Sequence, residues 1–154
     1  MKKLLVILTA CALFTSVQVD SGWELVGPTK PTAASAKQFV SLRASIYHAV
    51  EAQCDSTPFI TANNTLITDP TTDRFVAMAR HMIRPTKWHT EAQGYDKNAM
   101  FCFGDSIVVE GAGEFNGIWI IMDSMAKKHK NRIDFLVDKR IKGYDFADSV
   151  IVQL

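Results

Sequence analysis

Short runs in which apolar and polar side chains alternate recur from Phe39 to the C-terminus. This period of two is what a strand lying half on a core requires. In the first run Val40, Leu42, Ala44 and Ile46 share one face, and Ser41, Arg43, Ser45 and Tyr47 share the other. Arg74–Ala79 reads as a short apolar strand, and Ser106–Glu110 and Gly117–Met122 as two more. Between the last two, Gly111-Ala112-Gly113-Glu114-Phe115-Asn116 precedes Gly117, and these glycines and the Asn-Gly pair offer the positive-φ positions of a hairpin connection. Arg132–Val137 sets Ile133, Phe135 and Val137 against Asp134 and Leu136, and Ser149–Leu154 puts Val150, Val152 and Leu154 on one face. Six or so short strands with irregular loops predict a mainly β barrel or sandwich.

The intervening segments read differently. Ala52–Thr72, with Pro58, Pro70, Asn63 and Asn64, predicts a loop with one short extended piece at Phe59–Ala62. Arg84–Ala99 has no period and predicts a long surface insertion, and Asp138–Phe146 has room for one or two helical turns.

At the N-terminus Lys2 and Lys3 precede an apolar run from Leu4 to Phe14, the pattern of a secretory leader. That run is too short for a bilayer, which takes about 20 residues. Cleavage after Ser21 leaves residues 22–37, rich in Pro, Thr, Ala and Ser, as a linker to a domain at 38–154. A second reading stays open, in which Leu8-Thr9-Ala10-Cys11 is a lipobox and Cys11 carries a lipid. Either way the domain is exported, to a periplasm or cell envelope, and meets a membrane only if Cys11 is lipidated. Losing residues 1–21 removes Lys2, Lys3 and Asp20, so that 15 basic residues face 15 acidic ones. A neutral domain offers no electrostatic footprint for nucleic acid.

Cys54 and Cys102 remain in that domain. In an oxidising compartment they would pair as a disulfide, or else they are two free thiols in the core. Neither a CxxC motif nor a Cys/His ligand spacing occurs, so no metal is expected, and no cofactor motif is found.

Asp123-Ser124-Met125-Ala126-Lys127-Lys128-His129-Lys130-Asn131-Arg132-Ile133-Asp134-Phe135, with Asp148-Ser149-Val150-Ile151-Val152-Gln153-Leu154, resembles the end of the three-aspartate domain, a branch of the RlpA-like double-psi β-barrels. Val76-Ala77-Met78 is similar to the family's Val-Ala-Val strand, Gly104-Asp105-Ser106-Ile107-Val108-Val109 to its Gly-Thr-x-Val strand, and Tyr47 stands where an early Tyr is usual. Gln53-Cys54-Asp55 followed by Thr57-Pro58 resembles versions of the domain in Bacteroidetes-type envelope proteins. The likeness spans roughly Leu42 to Leu154. It implies a six-stranded double-psi β-barrel with one or two short helices. Two departures stand out: Ala79 occupies the place of the family's first aspartate, and the turn after Asp123 lacks the family's glycines.

The same fold carries the active site of membrane-bound lytic transglycosylase A, where two aspartates also stand eleven residues apart. The resemblance therefore implies that Asp134 and Asp123 are catalytic, cutting peptidoglycan glycan strands or another envelope polysaccharide. Such a reaction needs a carboxylic acid that stays protonated near neutral pH, and burial beside a second carboxylate favours that state. Asp134, on the face opposite Ile133 and Phe135, would give its proton to the bridging oxygen and later accept one from the muramyl C6 hydroxyl. Asp123, at the end of the preceding apolar strand, would tune it if the two strands are neighbours. A non-catalytic module binding glycan or an envelope partner is the competing reading, because aspartates at strand ends also serve as turn caps.

Candidate substrate-binding residues follow from position. His129 lies in the loop between the aspartates, Arg132 ends the basic cluster Lys127, Lys128 and Lys130, and Trp88 and Tyr95 lie in the insertion, placed to stack on sugar rings. His81 and His89 sit among Arg80, Arg84 and Lys87, a basic stretch that either meets peptide stems or solvates a loop. Trp119 reads as core.

Overall fold

The computed structural model describes residues 37–142 and 145–154. The leader, Cys11 and the linker up to residue 36 lie outside the described residues. The strands are β1 (Phe39–Tyr47), β2 (Phe75–Met78), β3 (Ser106–Glu110), β4 (Gly117–Ser124), β5 (Arg132–Leu136) and β6 (Asp145–Gln153), with single 3-10 turns at Arg80–Met82, Glu91–Gln93 and Gly113–Phe115. Among the described residues no helix is long and apolar enough to cross a membrane.

The protein is mainly β, with all six strands in one sheet. Their order is β1-β5-β2-β4-β3-β6, and β6 pairs back onto β1, so the ring of ladders closes and leaves no open edge. β1 with β5 and β2 with β4 run parallel, and the other four pairs are antiparallel.

The alternation explains the interior. Each strand sends two residues, two positions apart, into the core: Leu42 and Ala44, Val76 and Met78, Ile107 and Val109, Trp119 and Ile121, Ile133 and Phe135, Val150 and Val152. All are at most 3 % exposed, so each gains close to the full burial energy of an apolar side chain, about 1.5–3 kcal/mol for a Val, Leu, Ile or Phe. Trp119, expected in the core, is there, and its indole N–H donates to the Phe115 carbonyl at 2.7 Å.

Three expectations are corrected. The stretch 84–99 is not wholly surface: Tyr95 and Ala99 are buried, and Arg84 is tied back by its Nε to the Ala99 carbonyl at 2.8 Å. The helical turns expected within 138–146 are replaced, among the described residues, by a hydrogen-bonded turn at Asp138–Ile141 and then β6. β6 starts four residues before its apolar alternation because the long β1 supplies backbone partners as far as Ser45, opposite Asp145. In the β3–β4 connection the glycines do take positive φ, at Gly111 (84°), Gly113 (62°) and Gly117 (110°), but Asn116 has φ −58°. Asn116 serves instead through its side-chain oxygen, which accepts the Ala112 N–H at 2.8 Å.

One irregularity decides the site. Val76 pairs with Ile121 and the next residue, Ala77, with Asp123, so Met122 is an extra residue in β4. Strict alternation from Trp119 and Ile121 would send Asp123 into the core. The bulge turns it to the outer face instead, a use of bulges common beside functional sites.

Candidate active site

On that outer face four residues form one row across four strands: Ser45 on β1, Asp134 on β5, Ala77 on β2 and Asp123 on β4. The two aspartates are therefore not on neighbouring strands, the condition set above for Asp123 to tune Asp134. β2 runs between them, which sets their backbones two strand spacings apart, about 10 Å. The residue in the gap is an alanine, so its methyl leaves the space above it to the two carboxyl groups. All three of these residues line one pocket of about 590 Å³, with Tyr47 beside them.

The pocket exists because the loop after β1 folds over this face. Tyr47, Ala49, Ile67, Ala77, Met125 and Leu136 form a second apolar cluster beneath it. The Thr61–Thr65 turn docks onto the end of β4: the Asn63 N–H donates to the Met122 carbonyl at 3.1 Å and the Ala62 N–H to Asp123 Oδ1 at 3.1 Å.

Asp123 is thus held by three donors. Oδ1 accepts from Ala62 N–H and, at 2.7 Å, from its neighbour Ser124 N–H, and Oδ2 accepts from the Tyr47 hydroxyl at 3.2 Å. These bonds favour the ionised form, but loss of water outweighs them, and burial pushes the carboxyl above its usual range. The Tyr47 phenol is pushed up as well, by its own burial first and then by the negative charge of Asp123. Asp134 accepts a hydrogen bond from the Ser45 hydroxyl, and Ser45 Oγ in turn accepts one from Arg132 Nη2 at 2.9 Å. Ser45, only 7 % exposed, joins a cation to a carboxylate.

The substrate-binding candidates divide. His129 lines the pocket, carried there by the turn after β4. Arg132 is directed to Ser45 and is not among the lining residues. Trp88 is 72 % exposed and away from the pocket, with the Lys87 ammonium 4.8 Å from its ring. Tyr95 is no sugar platform: it is 5 % exposed, packs against His89 and Phe103, and shares a 2.8 Å hydrogen bond with Ser124 Oγ. Its apolar ring is more stable joined to the core than left on an insertion in water. His89, wedged between Tyr95 and Phe103, has its imidazole pushed down by burial, and so does not supply a surface charge.

Cys54 and Cys102 are free thiols and not a disulfide. Cys54 lies in the pocket wall, donates to the His48 carbonyl at 3.4 Å, and is pushed up by burial, whereas Cys102 sits in the turn before β3, where its N–H meets Asp105. Among the described residues no group of three or more His, Cys, Asp or Glu is gathered to hold a metal ion.

Sequence reasoning missed Ser45 and Ala77 as site residues, and of the basic stretch Arg80, Arg84 and Lys87 it is Arg80 that lines the pocket. Ser45 and Ala77 carry no chemical signature of their own, and only the cross-strand register reveals them. Ala79 is fully buried and is not among the residues lining the pocket. No family model matches this sequence, and no curated protein or solved structure matches it either.

Proposed function

We propose that this chain is an exported double-psi β-barrel of the three-aspartate kind that cleaves peptidoglycan glycan strands as a lytic transglycosylase. The observation that carries this reading is that Asp123 and Asp134, from different strands, open onto one pocket across Ala77. The closed six-stranded ring with two parallel pairs supports the finer fold assignment.

In this reading Asp134 is the acid. Its proton passes to the oxygen bridging N-acetylmuramic acid and N-acetylglucosamine as the glycosidic bond breaks and the leaving sugar takes the electron pair. The resulting carboxylate then removes the proton of the muramyl C6 hydroxyl as that oxygen bonds to the anomeric carbon. One proton is given and one regained, so no water is consumed and no second acid is needed. Ser45 suits this cycle. A hydroxyl has one donor and two acceptor positions, so it can donate to the Asp134 carboxylate and accept from the acid while keeping its bond from Arg132. Asp123, fixed by its donors, faces the positive charge that develops on the sugar.

Incubation with purified peptidoglycan tests this directly: mass spectrometry is expected to find anhydro-muramyl ends, and Asp134→Asn to lower their formation by at least about a hundredfold with the fold intact. Ordinary reducing ends would mean hydrolysis. A second reading, a glycan-binding module without catalysis, is favoured by Ala79, and it predicts binding that Asp134→Asn leaves unchanged and no cleavage at all.

A further inference from the structure

Arg80 is the one Arg or Lys among the residues lining the pocket, which also presents Asp55, Asp123 and Asp134. Its guanidinium is barely used by the protein. Of five N–H donors, one meets the Gln93 carbonyl, from Nη1 at 3.3 Å, and Nε is buried with no hydrogen-bond partner. The group is nonetheless held in place: its central carbon lies 5.8 Å from the centre of the Tyr95 ring, and Tyr95 is anchored to Ser124, the residue beside Asp123. A guanidinium with donors left unused, oriented by a buried aromatic ring and lining the same pocket as two carboxylates, is suited to accept an anion. Against three acidic side chains, Arg80 is the permanently charged cation of the lining at which an anionic substituent can settle. The planar guanidinium can meet a carboxylate in bidentate fashion through N–H donors that the protein leaves unused.

We infer that Arg80 is a specificity-determining residue that recognises a free carboxylate on the glycan, close to the linkage presented to Asp134. This rests on the reading of the pocket as a glycan site. Two sources share the chemistry: a lactyl group freed of its peptide stem, or a carboxylate of the stem itself.

The test uses the full chain carrying Asp134→Asn, so that binding is read without cleavage. Calorimetric titration compares three muramyl oligosaccharides: one with free lactyl carboxylates, one with the same groups as simple amides, and one with peptide stems. A carboxylated ligand is expected to bind at least about tenfold more tightly than the amide, the ratio to fall within about twofold in Arg80→Gln, and Arg80→Lys to keep part of it. The arm that shows the Arg80-dependent gain identifies the source. The parent's preference is also expected to shrink as salt rises, which needs no variant at position 80. A preference that Arg80→Gln or salt leaves untouched, or equal binding of all three, overturns the inference while leaving the glycan site standing. Failure of all three to bind removes the glycan site itself.

Discussion

The ring has one inner face but two outer ones. Across β4, β3, β6 and β1 runs an outward row of Ile118, Val108, Gln153 and Phe39, in which Ile118 is 64 % and Phe39 58 % exposed. Across β1, β5, β2 and the end of β4 runs the row of Ser45, Asp134, Ala77 and Asp123, covered by the loop after β1. The first row follows from the alternation of side chains, and the second does so except at Asp123, which the bulge at Met122 brings to the outer face. The apolar one is left in water and the acidic one is enclosed, the reverse of what transfer energies favour. The enclosed row is tolerable because each carboxylate is given donors: two peptide N–H groups and a phenol for Asp123, and a hydroxyl backed by a guanidinium for Asp134. Cover, together with the bulge in β4, separates the plain wall from the one that holds the pocket.

The contrast can be broken at its common support. Phe135→Ala, on the fully buried side of β5, is expected to cost about 3–5 kcal/mol in urea unfolding and to disable both walls together. Ala77→Leu acts on the enclosed row alone. Filling the gap between the carboxylates is expected to cost about 1–3 kcal/mol and to lower glycan cleavage at least about tenfold, out of proportion to the stability lost. Intact cleavage in that variant would mean that the space between the aspartates is not used.

Asp123→Asn sharpens the comparison through pH. Burial raises the Asp123 carboxyl, so the folded protein binds that proton more tightly than the unfolded chain does. The resulting contribution favours the fold below the ordinary carboxylate value, about pH 4, and is lost as pH rises through the raised one. The amide keeps a carbonyl oxygen for the two peptide donors and carries no charge to desolvate. The variant is therefore expected to gain stability relative to the parent between about pH 4 and pH 8, measured by urea unfolding at both. A difference that does not change with pH would contradict the burial of that charge. The smallest effect belongs to the open wall: Ile118→Ser is expected to stay within about 0.5 kcal/mol of the parent and to leave cleavage unaltered.

Much of the inner face was legible in the residues, because a period of two is a local property. Val40 to Tyr47 alternates as read, with Ile46 packed against the inner core and Ser45 and Tyr47 on the outer face, and the paired core positions of β4 and β5 were visible as Trp119, Ile133 and Phe135. The site was legible only in part. Asp134 was placed on the outer face by that same period, and it lines the pocket. Asp123 reaches that pocket through an extra residue, Met122, whose bulge is a matter of pairing with β2 and leaves no mark in composition. Tyr95 was misread for a related reason. A polar insertion gives no sign of which of its aromatic rings the core will take, and the ring buried is Tyr95 while Trp88 stays in water.

By itself the sequence determined a mainly β chain, the inward residues of its strands and two acidic positions eleven residues apart, since local alternation and spacing depend only on the order of side chains. Only the tertiary structure decided that β2 passes between the strands bearing those acids, that an alanine keeps the gap open, and that a loop covers one wall. Those are contacts between segments far apart in the chain, set by register and cover, and they govern whether a carboxyl group meets solvent or a reactant.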